Sequence, residues 1–127
     1  MQKTESKNII DCLQKVTSDD QHTIEGLFVF PHDFPAFKGH FPGRPILPAV
    51  VQLAATRLLA AKQTGQKLLA AGVRQAKFKK TIGPGMPLTI RLQIKPDNDD
   101  VFSVSFTIST DQGTAAVGEI QCRKSGA

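Results

Sequence analysis

The chain has 127 residues, of which 40% are hydrophobic and 21% charged, as expected for one globular domain spanning residues 1–127. Sixteen lysines and arginines against 11 acidic residues give a formal charge of +5, which predicts an acidic partner: nucleic acid, an acidic carrier protein or the phosphates of a nucleotide thioester. The polar N-terminus is not a signal peptide, and no apolar run approaches the roughly 20 residues that span a bilayer, so we expect a soluble, cytoplasmic protein.

The two cysteines, Cys12 and Cys122, lie far apart and have no neighbours at zinc-ligand spacing. We therefore expect two free thiols, no metal site and no cofactor.

In chain order, the first predicted element is a β-hairpin with strands at 9–17 and 23–30, joined by the turn signal at 18–21. Residues 31–48 follow as an 18-residue loop, because proline and glycine recur too often for regular structure. Loops of this length inside a compact domain are usually functional.

A helix is predicted from about Pro48, a residue suited to the first helical position, to the stop signal at Gly65. It is apolar on most sides, which is typical of a buried helix, and leaves only a narrow polar stripe of Gln52, Thr56 and Arg57. Strands are expected at 68–79, 88–95, 101–109 and 114–123, the last being the weakest. Together these elements predict an α+β domain in which an antiparallel sheet wraps around one long buried helix.

The chemically informative stretch covers the end of the loop and the start of the helix. His40 sits between Gly39 and Pro42, in a loop stiff enough to hold its side chain in place, and histidine suits general-base work near neutral pH. Nine residues later, Ala49 opens the helix with a backbone N–H that has no partner inside the helix. The helix dipole adds partial positive charge there, so this N–H suits a carbonyl oxygen that gains negative charge.

Two motifs carry a family resemblance. The stretch FKGHFPGRPILPAVVQL, from Phe37 to Leu53, resembles the GHFPxxPxxPG signature of the FabZ/FabA-type 3-hydroxyacyl-[acyl-carrier-protein] dehydratases. The stretch AKFKKTIGPGMPL, from Ala76 to Leu88, resembles the second motif of that family, KFRxPVxPGDxL. The resemblance covers about residues 8–123 and implies the hot-dog fold, which agrees with the predicted order of elements.

The resemblance implies that His40 is the catalytic base and that the N–H of Ala49 binds the thioester carbonyl. It also places a set of residues around the acyl chain: Gly39, Phe41, Pro48, Val50, Leu53, Ala54 and Phe78.

The chain departs from the family where a carboxylate is expected on the helix, fourteen residues after His40. That position is Ala54, and nothing acidic lies between 49 and 64. Met86 also replaces an aspartate that is common in the second motif. Gln52 points away from position 54 around the helix, so we do not expect it to substitute. Asp33 and Glu25 are the weaker alternatives for the missing acid, with solvated surface carboxylates as the default interpretation.

The remaining polar groups are interpreted either as ordinary surface residues or as functional ones. His22 and His32 belong to no motif and are expected at the surface. The basic residues Lys77, Lys79 and Lys80, with Lys67 and Arg74 nearby, are either a solvated face or a dock for an acyl carrier protein or coenzyme A. No nucleic-acid motif accompanies them, so nucleic acid is not an expected partner. The apolar helix is too short to span a membrane and carries Arg57 and Lys62, so a membrane is not an expected partner either.

The resemblance also implies a site shared between two subunits. We expect either a homodimer or higher homo-oligomer, or a heterodimer in which another subunit supplies the acid. The predicted function is that of a dehydratase-like lyase of fatty-acid or related acyl-chain biosynthesis. The alternatives are a non-catalytic acyl-thioester-binding module and a hot-dog thioesterase, although the latter also usually needs a carboxylate on the helix.

Overall fold

The computed structural model describes residues 9–20, 22–38 and 43–125. Within them, six strands and one long helix follow one another. The strands are β1 (Leu13–Ser18), β2 (Thr23–Phe28), β3 (Leu68–Phe78), β4 (Leu88–Pro96), β5 (Val101–Thr110) and β6 (Gly113–Lys124), and the helix is α1 (Ala49–Thr64). No helix in the described ranges is both long and apolar enough to cross a membrane.

All six strands form one antiparallel sheet in the order β1-β2-β4-β5-β6-β3. One face of the sheet is apolar because side chains alternate along each strand, so that Ile90, Leu92 and Ile94 of β4 point the same way and are buried. The helix packs on that face. It lies close to β2 at Gly26, where an added Cβ would be 2.9 Å from Leu59 Cδ1.

The predicted hairpin is correct in kind but wrong at its start. Residues 9 and 10 form a helical turn, and β1 begins only at Leu13. Ile9 is 1% exposed, so this turn packs against the core instead of extending the sheet. The strand judged weakest, β6, is the longest at 12 residues, because it pairs on both sides along most of its length.

The helix has the predicted bounds, with Pro48 before its first residue and Gly65 after its last in the left-handed region at φ 68. Its burial differs from the predicted pattern. Gln52 and Thr56, two members of the predicted polar stripe, are buried at 4% and 0% exposure, whereas the apolar Val50 is 73% exposed. Helix α1 therefore turns two polar side chains towards the sheet and leaves an apolar side chain uncovered at its first turn.

The edge strand β3 is irregular. Its register against β6 shifts between Ala70 and Gly72 and again between Arg74 and Lys77, and Gln75 in the second bulge has φ 54. Bulges increase the local twist of a strand and interrupt its pairing. Gly118 lies across from the second bulge, where an added Cβ would meet the Cα of Ala76 at 2.8 Å.

We expect Gly118→Ala to lower the free energy of unfolding by about 1–3 kcal/mol, because a backbone atom and the Phe106 ring at 2.9 Å leave no room for the methyl group. Gly72→Ala is the matched control, since its Cβ would meet only Gln121 Oε1 at 3.4 Å. Urea unfolding of both variants tests this prediction. Equal unfolding midpoints for Gly118→Ala and Gly72→Ala would show that the bulge accommodates the methyl group without loss of stability.

Candidate functional site

The first turn of α1 is open. Pro48 precedes it with no side-chain cap and no acidic residue in the first turn. The carbonyl of Pro48 accepts the N–H groups of Val51 and Gln52 at 3.1 and 3.2 Å, in the usual pattern of a helix start. The first N–H groups of a helix, here those of Ala49 and Val50, have no acceptor within it, and both residues are exposed. This end of the helix can receive a carbonyl oxygen.

Backbone hydrogen bonds bring the two motifs together at this helix start. The N–H of Leu47, two residues before Ala49, donates to the carbonyl of Ile82 at 2.8 Å. The N–H of Gly85 donates to the carbonyl of Phe30 at 2.7 Å, so the loop between β3 and β4 is also tied to the end of β2. Leu47 and Ile82 are buried at 1% and 0% exposure. The two stretches that carry the family resemblance are therefore neighbours in space.

A row of aromatic rings fixes the first part of the long loop. Phe30 and Phe34 meet edge to face at 4.9 Å between centroids, and Phe34 meets Phe37 in the same way at 6.2 Å. A short 3-10 turn at Pro35–Phe37 carries the last of these rings into the core. The loop is thus held by burial up to Phe37.

Gln52 is buried, although the sequence predicts it as part of a polar stripe along the helix. Its side-chain Nε2 donates to the carbonyl of Leu47 at 3.2 Å, which closes the loop onto the first turn of the helix. Its Oε1 is buried and accepts no hydrogen bond from the part of the chain that the structure describes. The expectation that Gln52 points away from position 54 agrees with their burial, because Gln52 faces the sheet and Ala54 is only partly buried. Gln52 therefore holds the helix start in place.

Position 54 has no acidic neighbour along the helix. Ala54 and Leu53 pack against the margin of the core, and neither is fully buried. Arg57, one turn further on, donates from Nη1 to the carbonyl of Leu68 at 3.2 Å. Burial raises the pKa of Cys122 to about 11, and the nearby Arg57 guanidinium opposes that shift. This flank of the helix therefore carries a cation and a neutral thiol, and none of the helix residues from 49 to 64 is a carboxylate that could replace the missing acid.

Of the two alternative acids, Glu25 is excluded by its position. It lies between the buried Ile24 and Gly26, so its side chain is on the sheet face opposite the helix, where it pairs with Arg91 at 2.6 Å. Asp33 instead lines a cavity of about 580 Å³ between the start of the chain and the long loop, together with Asp11, Cys12, Gln14, Val29, Pro31, Phe34 and Pro35. Burial raises the pKa of Cys12, and the charges of Asp11 and Asp33 raise it further. None of the helix residues expected around the acyl chain, Val50, Leu53 and Ala54, lines this cavity.

The basic residues beside the second motif are not equivalent. Lys77 and Lys79 are exposed. The ammonium group of Lys80 donates to the carbonyl of Gln112, which ties that side chain to the turn between β5 and β6. His22 lies at the other end of the helix, where it lines a cavity with Gln63 and Thr64. His32 is exposed and lies beside Gly85 of the second motif, a contact that the sequence did not predict.

Large apolar side chains are uncovered on the first turn of the helix and along the edge strand β3. Val50 is 73% exposed, and three residues of the edge strand, Leu69, Val73 and Phe78, are 43%, 49% and 39% exposed. Val73 and Phe78 lie opposite the buried Ile120 and Ala116 of β6, so they are on the same face of the sheet as the helix. Exposed apolar residues beside an unpaired strand edge are typical of an interaction surface.

Three predicted site residues, Gly39, His40 and Phe41, lie outside the described residues. Their assignment stays a prediction, as do the roles assigned to Pro48, Val50, Leu53, Ala54 and Phe78. The structure places Ala49 at an open helix start beside the second motif.

Comparison with known proteins agrees with this architecture. A family model described as ApeI-like, ApeI dehydratase, matches residues 15–119. The 3-hydroxyacyl-[acyl-carrier-protein] dehydratase FabZ of Ralstonia nicotianae is 30% identical over 98 residues, which are 69% of this chain and 60% of that protein. FabZ of Rickettsia bellii is 29% identical over 109 residues, which are 80% of this chain and 75% of that protein.

Among solved structures, the dehydratase heterocomplex ApeI:P from Xenorhabdus doucetiae superposes with a TM-score of 0.75 at 22% identity, covering 88% of this chain and 96% of that one. The fold is therefore the hot-dog fold, as predicted, and the molecule is a dehydratase-like member of it. The chain belongs to the ApeI-like dehydratase family.

Proposed function

We propose that this chain acts on 3-hydroxyacyl thioesters as a dehydratase-like subunit in the synthesis of fatty acids or related acyl chains. The observation that carries the proposal is the uncapped helix start at Ala49, held beside the second motif by the hydrogen bond from Leu47 N–H to Ile82 O. A thioester carbonyl placed at this N–H gains stabilisation as negative charge develops on its oxygen.

In the proposed reaction, His40 removes a proton from the carbon next to the thioester carbonyl. The electron pair moves into the enolate-like system, where the N–H of Ala49 stabilises the oxygen. The pair then forms the carbon–carbon double bond as the bond to the β-hydroxyl breaks. That hydroxyl leaves as water after it receives a proton from an acid. The products are the enoyl thioester and water.

The acid for the last step is not at position 54 of this chain. We propose that a second hot-dog chain pairs with this one and supplies it. The uncovered apolar side chains Val50, Val73 and Phe78 support such pairing, since a partner would cover them. The structural relative ApeI:P is itself a dehydratase heterocomplex, which supports the same arrangement here.

We further propose that the exposed Lys77 and Lys79 receive the acidic surface of an acyl carrier protein or the phosphates of coenzyme A. Lys80 contributes less, because its ammonium group is already engaged by a backbone carbonyl. Once a partner covers this side of the molecule, the acyl chain would be bordered by Val50, Leu53, Ala54 and Phe78.

A second candidate function is a non-catalytic module that binds acyl thioesters. It is favoured by Ala54 itself, because alanine in place of the carboxylate makes position 54 apolar while the helix start stays open. Thioester hydrolysis is disfavoured by the same substitution, since hot-dog thioesterases also usually use a carboxylate there.

One assay separates these functions. The chain is incubated with 3-hydroxyacyl thioesters of an acyl carrier protein and of coenzyme A, alone and after co-expression with a dehydratase-like chain that has the helix acid. We expect enoyl thioester from the co-expressed pair and little from the chain alone. Free acid would indicate a thioesterase. Binding without turnover in both preparations would favour the binding module and contradict a catalytic role.

A further inference from the structure

The charge of this chain is unevenly distributed along it. Eleven of its 16 lysines and arginines, and none of its 11 acidic residues, lie between residues 34 and 96. That stretch contains helix α1, the edge strand β3 and both motifs. The eleven cations are Lys38, Arg44, Arg57, Lys62, Lys67, Arg74, Lys77, Lys79, Lys80, Arg91 and Lys95.

The edge strand concentrates part of this charge on one face. Arg74 lies across from Glu119 of β6, Lys77 across from Val117, and Leu69 across from Arg123. On β6, Val117, Glu119 and Arg123 alternate with the buried Ile120 and Cys122. Their side chains, and those of the β3 residues opposite them, are therefore on the sheet face away from the helix. In the two strands together, Glu119 is the only acidic residue. The outer face beside the free edge is therefore cationic.

This charge bears on which chain occupies the edge. If two copies paired edge to edge about a twofold axis, each contact would occur twice, and the cations of one outer face would adjoin the same cations of the other. Like charges across neighbouring strands are destabilising. Val73 and Phe78, on the opposite face, are apolar and carry no charge that would distinguish one partner from another. Charge then decides between a second copy and a different subunit.

We propose that the edge strand β3 is built to pair with a different hot-dog chain, one whose outer face carries aspartate or glutamate beside its own free edge, in preference to a second copy. The proposal rests on the pairing in the proposed function and adds the chemistry of the partner. Arg74 and Lys77 are its specificity-determining residues, because they are the cations within β3 itself.

The test uses a charge-reversed copy as the acidic partner. The wild-type chain is mixed with the double variant Arg74→Glu/Lys77→Glu, and the species are counted by native mass spectrometry and sedimentation velocity at about 0.05 M and about 0.5 M salt. At low salt we expect the mixed dimer to exceed its statistical half share, with a dissociation constant about three- to tenfold below that of the wild-type homodimer. The excess should fall at high salt, because exposed charges are then screened.

The matched control is Lys15→Glu/Lys95→Glu, which changes the net charge equally but lies on β1 and β4, away from the β3 edge. Its mixture with wild type should stay statistical. A statistical mixture with the Arg74/Lys77 variant at low salt would overturn the proposal. Monomers in every mixture would also overturn it, because they would show that the cations prevent the exposed edge from pairing with any chain. No thioester is present, so the result is independent of whether the chain proves to be a dehydratase.

Discussion

Replacing Ala54 by glutamate should raise the rate of enoyl thioester formation by the isolated chain about 10²–10⁴-fold, the usual contribution of one positioned general acid. The physical reason is that, in the proposed mechanism, His40 and the N–H of Ala49 supply the base and the oxyanion donor, and one proton transfer is left unassisted. Ala54 is only partly buried, so the new carboxyl group has room at the margin of the core. Product formation from a 3-hydroxyacyl thioester, followed by absorbance of the conjugated enoyl group, measures the gain.

Ala54→Gln is the control for this change. It has the same length and shape as glutamate but gives no proton, so its rate should stay at the wild-type level while its thermal stability follows that of Ala54→Glu. A glutamate variant that folds, pairs and still matches wild type would contradict the view that position 54 limits turnover.

Replacing His40 by alanine should remove enoyl thioester formation, with a loss of about 10²–10⁴-fold in the Ala54→Glu background or in a complex with an acid-bearing partner. The reason is that the proton next to a thioester carbonyl is weakly acidic and needs a positioned base. The pH profile of kcat/KM should lose the limb that reports the free base, since the variant has no imidazole at this position.

His22→Ala is the matched control, because His22 is exposed and lies at the opposite end of helix α1, beside Gln63 and Thr64. Its rate and pH profile should be unchanged. Equal losses from His22→Ala and His40→Ala would indicate a general effect on folding and would remove His40 from the proposed mechanism.

The architecture could be predicted from sequence because its signals are local. Strict alternation of apolar residues defined β4 and β5, and the proline and glycine at 48 and 65 bounded the helix to within a residue. The start of β1 was mispredicted because the residues around Ile9 fit a helix and a strand equally well on periodicity. Packing against the core decided for a helical turn there.

The site was less accessible to sequence reasoning because it depends on contacts between distant segments. No local pattern indicates that Gln52 faces the sheet, since its burial follows from the hydrogen bond to Leu47 and the packing around it. The bulge at Gln75 left no signal either, because glutamine is not a residue that usually adopts a positive φ. A glycine at position 118 was visible in the sequence, but only the register shows what it accommodates.

The hydrogen bond between Leu47 and Ile82 also has a mechanical meaning. Strand β3 ends at Phe78, and Ile82 follows only four residues later along the chain. A displacement at the end of β3 would therefore reach the start of helix α1 through residues 79–82 and the hydrogen bond between Leu47 and Ile82. The Ala49 amide, which would bind the substrate, lies at that helix start. If a partner docks on β3 and a thioester binds at Ala49, as proposed, this short connection would couple subunit docking to ligand affinity, and a mismatched partner would weaken binding without touching the ligand.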